Sequence, residues 1–229
     1  MTRSDQPLNS RAIEEQYLGV KERVWRAAQH HGREPASVKL VAVTKTFQED
    51  DIVPVLGQGH RCFGENRVQE AMHKWPALRE RYPAIELHLI GPLQSNKARE
   101  AVAFFDCIET LDRPKLAAAL ASEIQRQGKA PKLLIQVNIG LEAQKAGVAP
   151  SEAAAFAARC ELEFGLTVSG LMCIPPFEDD PLPYFQKLAA LRDELALPEL
   201  SMGMSGDFEV AIGAGATMVR VGSAIFGSR

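Results

Sequence analysis

The segment Lys39-Leu40-Val41-Ala42-Val43-Thr44-Lys45 is apolar from Leu40 to Val43 and then turns polar. Side chains of a strand alternate between faces, so Val41, Val43 and Lys45 share one face and Leu40, Ala42 and Thr44 the other. A run apolar on both faces suits a buried parallel strand. Comparable short runs recur at Arg61–Gly64, Glu86–Ile90, Cys107–Thr110, Lys132–Asn138, Leu166–Leu171, Glu199–Met202 and Thr217–Val221. Helical patterns separate them, at Gln48–Gly57, Asn66–Arg81, Ser95–Phe104, Arg113–Gln127, Pro150–Glu161, Pro181–Leu195 and Phe208–Ala214, and Ala224–Gly227 begins a last short helix. Upstream, Ile13, Tyr17, Val20 and Val24 recur at helical spacing, predicting a helix over Leu8 to His31, capped by Asn9 or Ser10 and ended by Gly32 and Pro35.

Strands alternating with helices imply βαβ units and a parallel sheet. Roughly eight such units in a chain of 229 residues match the α/β class, as a single (β/α)8 barrel of the TIM type with an extra N-terminal helix covering its bottom or side. A doubly wound open sheet is the alternative. No Pro/Gly/Ser-rich linker or low-complexity segment interrupts the pattern, so 1–229 reads as one domain, with 1–36 a helical extension packed on the barrel.

Composition adds exclusions. A net charge of −3 and a pI of about 6.0 offer no electrostatic reason to expect nucleic acid. The N-terminal stretch with Arg3 and Asp5 has no apolar core like that of a signal peptide, and no run approaches the ~20 apolar residues of a membrane span. Cys62, Cys107, Cys160 and Cys173 are widely spaced and form no C-x-x-C pair. They are expected to be buried free thiols in a reducing cytoplasm, rather than disulfides or zinc ligands. The histidines show no metal-ligand spacing.

Polar residues and glycines collect just after the strands, on the face where such barrels put their chemistry. Lys45 follows the first strand, Gly64-Glu65-Asn66-Arg67 the second and Gly91 to Lys97 the third. Asn138 ends the fifth strand; Met172-Cys173-Ile174-Pro175-Pro176 follows the sixth, Ser201 to Asp207 the seventh, and Arg220-Val221-Gly222-Ser223 ends the eighth. Loops after strands seven and eight commonly bind phosphate, with glycine admitting the anion to backbone N–H groups at a helix start. Ser205-Gly206 and Gly222-Ser223 each precede a helix on that face; either loop alone is explained by capping, and the two together favour a phosphate site. Arg220 shares a strand face with Met218. A guanidinium pointing into a barrel must have a partner, either a carboxylate such as Glu65 or Asp207, or a ligand. His88 alternates with Leu87 and Leu89 and faces the interior, where a satisfied core histidine is the simpler reading than a metal ligand.

A lysine ending strand one, a phosphate cradle after strands seven and eight and an inward arginine together suggest pyridoxal 5′-phosphate (PLP). The chain closely resembles the pyridoxal phosphate homeostasis protein family, which is similar to the barrel domain of alanine racemase. The motifs that carry this are Val43-Thr44-Lys45-Thr46, Gly64-Glu65-Asn66-Arg67-Val68-Gln69-Glu70, His88 to Lys97, Val137-Asn138-Ile139, Lys145-Ala146-Gly147, Gly170-Leu171-Met172, Leu200 to Ser205 and Val219 to Gly227. The resemblance implies that Lys45 carries PLP covalently as a Schiff base, that Arg220 faces the pyridine nitrogen, and that Ser205, Gly222 and Ser223 hold the phosphate. It adds Asn66, His88, Asn138 and Met172 as cofactor-binding residues; whether Lys97 or Lys145 offers a secondary PLP site stays open at this point. Phe47 stands where the family often has proline, Gly206 where an acidic residue is common, and Ser223 where threonine is common.

An arginine keeps its proton at ordinary pH and leaves the pyridine nitrogen unprotonated, which weakens the ring as an electron sink. Racemases of this type also need an acid/base residue opposite the lysine, which by resemblance comes from a separate domain and a dimer partner. The expected function is thus a non-catalytic, monomeric carrier that holds PLP for homeostasis and delivers it to PLP-dependent apo-enzymes; a racemase acting from the barrel alone is the alternative.

Overall fold

In a computed structural model, which describes residues 10–227, eight parallel strands close into a barrel in sequence order. The strands are β1 Lys39–Val43, β2 Cys62–Glu65, β3 Glu86–Leu89, β4 Cys107–Leu111, β5 Lys132–Val137, β6 Val168–Cys173, β7 Glu199–Ser201 and β8 Met218–Val221. Closure rests on β1 lying against β8, with Lys39, Val41 and Ala42 opposite Met218, Arg220 and Val221. That pairing rules out the open sheet.

The helices are α1 Ser10–His30, α2 Glu49–Gly57, α3 Val68–Arg81, α4 Ala98–Phe104, α5 Pro114–Gln127, α6 Ala153–Leu162, α7 Leu182–Glu194, α8 Phe208–Gly213 and α9 Ser223–Phe226. The expected elements are all present, with shifted ends. Pro150–Glu152 and Ser95–Lys97 form 3₁₀ turns rather than the first turns of α6 and α4. β6 starts two residues later than the apolar run, and Asn66 lies in the loop before α3. Leu8 and Asn9, the expected start and one expected cap of the first helix, lie outside the described residues.

The alternation of side chains divides the core in two. Val41, Cys62, Cys107, Leu134, Met172 and Met218 fill the barrel interior. The opposite faces of the same strands, with Phe63, Leu87, Ile108 and Val219, pack against the helices. α1 buries Ile13, Tyr17, Val20, Val24 and Ala28 against α2, α8 and α9, so it covers the side of the barrel across the β1/β8 seam. Arg23 of α1 fixes this placement with a paired contact to Glu209 of α8 at 2.9 and 3.0 Å. The four cysteines are free and buried, and among the described residues no helix is long and apolar enough to cross a membrane.

Candidate functional site

Lys45 lies two residues beyond β1, exposed, in a turn at the carboxyl-end rim. The turn is held from below. Lys74 of α3 donates to the carbonyls of Thr44 at 2.8 Å and Phe47 at 3.0 Å, and pairs with Glu65 at 2.7 Å. Glu65 also accepts from the Thr44 hydroxyl at 2.6 Å and the Trp75 indole at 3.0 Å. Thr46, at φ 65°, turns the chain, its N–H donating to Glu70 at 2.6 Å. Phe47, the residue in place of the family's proline, lies 5.0 Å from Phe226, ring centre to ring centre. The base of the lysine turn is therefore tied to α3 and β2 by several bonds, while Lys45 itself is exposed.

The phosphate-cradle residues stand together one strand away. Ser205 Oγ accepts from the backbone N–H groups of Gly222 at 3.3 Å and Ala224 at 3.2 Å. A Cβ on Gly222 would lie 3.3 Å from both Cβ and O of Val43, so the glycine lets the start of α9 close on the end of β1. Ser205 Oγ thus occupies both N–H groups at the start of α9, the position where an anion would replace it as their acceptor, with the exposed Ser223 beside it. Gly206, where the family has an acid, is exposed with open space about it.

Arg220 points into the barrel, 4% exposed. It donates through Nη1 to Ser201 Oγ at 2.7 Å and through Nη2 to the Cys173 carbonyl at 2.8 Å. The neighbouring carboxylate is Glu109, 4.0 Å away and also bonded to Ser201 at 2.5 Å. It is neither Glu65 nor Asp207. Glu65 faces outward between β2 and α3, and Asp207 accepts from the Met204 N–H at 2.5 Å at the start of α8. Below Glu109 the chain of bonds continues to His88 Nδ1 at 2.6 Å.

Burial opposes the charged form of His88, but its bonds to Cys107, Cys62, Glu109 and Glu86 outweigh burial and hold its pKa well above that of an ordinary imidazole. Burial likewise opposes the Glu109 anion; His88, Arg220 and Ser201 reverse the balance and keep its pKa low. Cys173 is pushed up to about 12 by burial. It stays a neutral thiol beside Arg220.

The other expected residues divide. Asn66 and Asn138 line a cavity of about 360 Å³ at this mouth with Gly91 and Lys145. Asn138 spends its side chain on the loop that follows it, donating to Glu142 O at 2.8 Å and accepting from Glu142 N at 3.1 Å. Lys145 is paired with Pro175 O at 3.0 Å and with Glu142, and Lys97 with Glu100 at 3.3 Å. Met172 is fully buried in the interior cluster. His88 is also fully buried, and its Nε2 faces Glu86 and Cys62, toward the opposite mouth.

Four residues shape the site in roles that a reading of the sequence does not assign them. Ser201 and Glu109 hold Arg220, and Lys74 with Glu65 holds the lysine turn. Glu109 has a visible signal, an acid on the same strand face as buried Cys107. Lys74 has a weaker one, a cation amid Ala71, Trp75 and Leu78 on the apolar side of its helix.

The model of the alanine racemase N-terminal domain family matches residues 20–229. A pyridoxal phosphate homeostasis protein of Vibrio alginolyticus is 46% identical over 208 residues, covering 86% of this chain and 89% of its own length. A crystal structure of an unknown protein from Bifidobacterium adolescentis superposes with a TM-score of 0.89 at 34% identity, over 96% of this chain and 98% of its own. The structure of PipY of Synechococcus elongatus with PLP bound superposes at 0.76 with 36% identity, over 90% of this chain and all of its own length (100%). With the barrel, the rim lysine and the inward arginine in place, these likenesses settle the family: the chain belongs to the pyridoxal phosphate homeostasis proteins, built on the alanine racemase N-terminal barrel.

Proposed function

We propose that this protein, acting as one domain over 1–229, binds PLP at the carboxyl-end mouth of the barrel, covalently on Lys45, and serves intracellular PLP homeostasis by holding the cofactor and passing it to apo-enzymes. The observation that carries the reading is the contact of Val43 with Gly222, which sets the Lys45 turn beside the Ser205/Gly222/Ala224 donors and the Arg220 end of β8. When bound, PLP supplies a reactive aldehyde, which a neutral lysine amine can hold.

The residues divide the work by their chemistry. Lys45, exposed on a pinned turn, supplies the amine. Backbone N–H groups at the start of α9, with the hydroxyls of Ser205 and Ser223, bind the phosphate dianion. Arg220 is fixed by Ser201 and the Cys173 carbonyl, which use two of its five N–H donors. It meets a ring nitrogen only as a donor, because a guanidinium does not release its proton near neutrality. That favours holding the cofactor over carbanion chemistry. The relatives' names, homeostasis proteins rather than racemases, point the same way.

Borohydride reduction of the PLP-loaded protein, followed by peptide mass mapping, is expected to place the pyridoxyl group on Lys45. A label found only on Lys97 or Lys145 overturns the assignment. Turnover of free alanine at ordinary enzyme rates, roughly 1–10³ s⁻¹, overturns the carrier reading in favour of a racemase.

A further inference from the structure

At the mouth opposite Lys45, β2 and β3 bring three different ligand types to one point. The strand register sets Cys62 beside Glu86, and His88 lies two residues on from Glu86 on the same inner face. His88 Nε2 is 3.1 Å from Glu86 Oε1 and 3.5 Å from Cys62 Sγ, and the three ligand atoms all lie within 4.8 Å of one another. Tetrahedral zinc, with Zn–N and Zn–O near 2.0–2.2 Å and Zn–S near 2.3 Å, needs N···O and N···S separations of about 3.3 and about 3.5 Å.

Two further features fit an ion. The other imidazole nitrogen, Nδ1, is 2.6 Å from the fully buried Glu109 carboxylate, the outer contact that orients a metal-bound histidine. Cys62 and Glu86 also border a cavity of about 450 Å³ between α1 and the amino ends of β1 and β3, with His88 buried behind them, and that cavity supplies an entry path and room for a fourth ligand. From this geometry we propose that Cys62, Glu86 and His88 form a binding site for a zinc-class transition-metal ion. Mixed sulfur, nitrogen and oxygen ligands suit zinc rather than magnesium or calcium.

His88 faces a carboxylate at each ring nitrogen, Glu109 at Nδ1 and Glu86 at Nε2. A divalent ion needs the free lone pair of His88 Nε2 and the Cys62 thiolate, so any protons on those atoms leave to solvent as it binds. Lys39 is the opposing group, its ammonium 2.8 Å from both Glu86 oxygens. Glu86 has two oxygens, so Oε1 turns to the metal while Oε2 keeps Lys39, and the ammonium weakens the site without closing it. A protein using these side chains only as an ionic cluster would behave differently on each count below.

The full chain, stripped with a chelator, is titrated with Co²⁺ and read as difference spectra, so that any bound chromophore cancels. One equivalent is expected to raise a sulfur-to-cobalt charge-transfer band and the visible bands of four-coordinate cobalt, both removed by Zn²⁺. Cys62→Ser is expected to abolish the charge-transfer band with an unchanged circular dichroism spectrum, and Cys107→Ser to keep it. Lys39→Gln is expected to tighten binding by roughly tenfold or more, since it removes a like charge next to the ion. Absence of the band in the wild type, its survival in Cys62→Ser, or an unchanged affinity in Lys39→Gln each overturns the proposal.

Discussion

Replacing Lys74 with Met removes the ammonium that ties the Lys45 turn to α3 while keeping a chain of similar length. Lys74 is 7% exposed and its partner Glu65 is fully buried. Breaking a buried pair by deleting one member leaves an uncompensated charge and typically costs about 3–5 kcal/mol. Thr44 and Trp75 still donate to Glu65 Oε1, which pulls the cost toward the lower figure. Two effects pull it back. Glu65 Oε2 is buried with no hydrogen-bond partner among the described residues, so no other contact compensates. The carbonyls of Thr44 and Phe47 also each lose the Lys74 ammonium, at about 1 kcal/mol each, although Thr44 keeps the Phe47 N–H at 3.2 Å.

The expected loss for Lys74→Met is therefore about 4 kcal/mol, a large share of the 5–15 kcal/mol that stabilises a typical domain. Urea unfolding followed by circular dichroism reads it as a fall of more than about 1 M in the midpoint. Lys74→Met/Glu65→Gln keeps an acceptor for Thr44 and Trp75 while removing the stranded charge, and is expected to recover about half of the loss. A single-variant cost below about 1 kcal/mol, or no recovery in the double variant, refutes the argument that a buried charge pair supports the turn.

Ser205→Ala is expected to weaken PLP retention by roughly tenfold, since a charge-assisted hydrogen bond contributes about 1.5–3 kcal/mol, and Gly222→Asp to do worse by adding bulk and like charge; equilibrium dialysis measures both, and pyridoxal, which lacks the phosphate, should bind far less tightly than PLP. Arg220→Glu should change the absorption of the bound cofactor by letting the ring nitrogen protonate, and an unchanged spectrum in a folded, loaded variant removes Arg220 from that position. His60, bonded to Tyr17 at 3.2 Å and to the Cys62 carbonyl at 2.7 Å, is lowered from 6.5 to about 4, chiefly by burial. Its depressed pKa makes the unfolded chain the better proton binder, so stability falls as pH drops from 6.5 toward about 4, and His60→Gln should flatten that limb in pH-dependent thermal melts.

The alternation of short apolar runs with helical patterns already contained the succession of parallel βαβ units, because a strand buried on both faces must be apolar on both, whatever its neighbours. The positions of Lys45, Arg220 and the two Ser/Gly loops were legible for a related reason: polar residues directly after such runs fall on one end of any parallel barrel. Closure itself was not legible, since an open sheet presents the same pattern, and only the pairing of β1 with β8 decides it. Partner choice also lay beyond the sequence. Glu65 and Glu109 are both acids at buried strand positions, yet opposite side-chain faces send Glu65 outward to Lys74 and Glu109 inward beside Arg220. Cys62, Glu86 and His88 illustrate the same limit: metal spacing is recognisable in a sequence when it lies within one element, whereas here register across two strands assembles it. Hydrophobic period is a local property of the chain, but which charges meet depends on how strands close in space, and that is a property of the barrel alone.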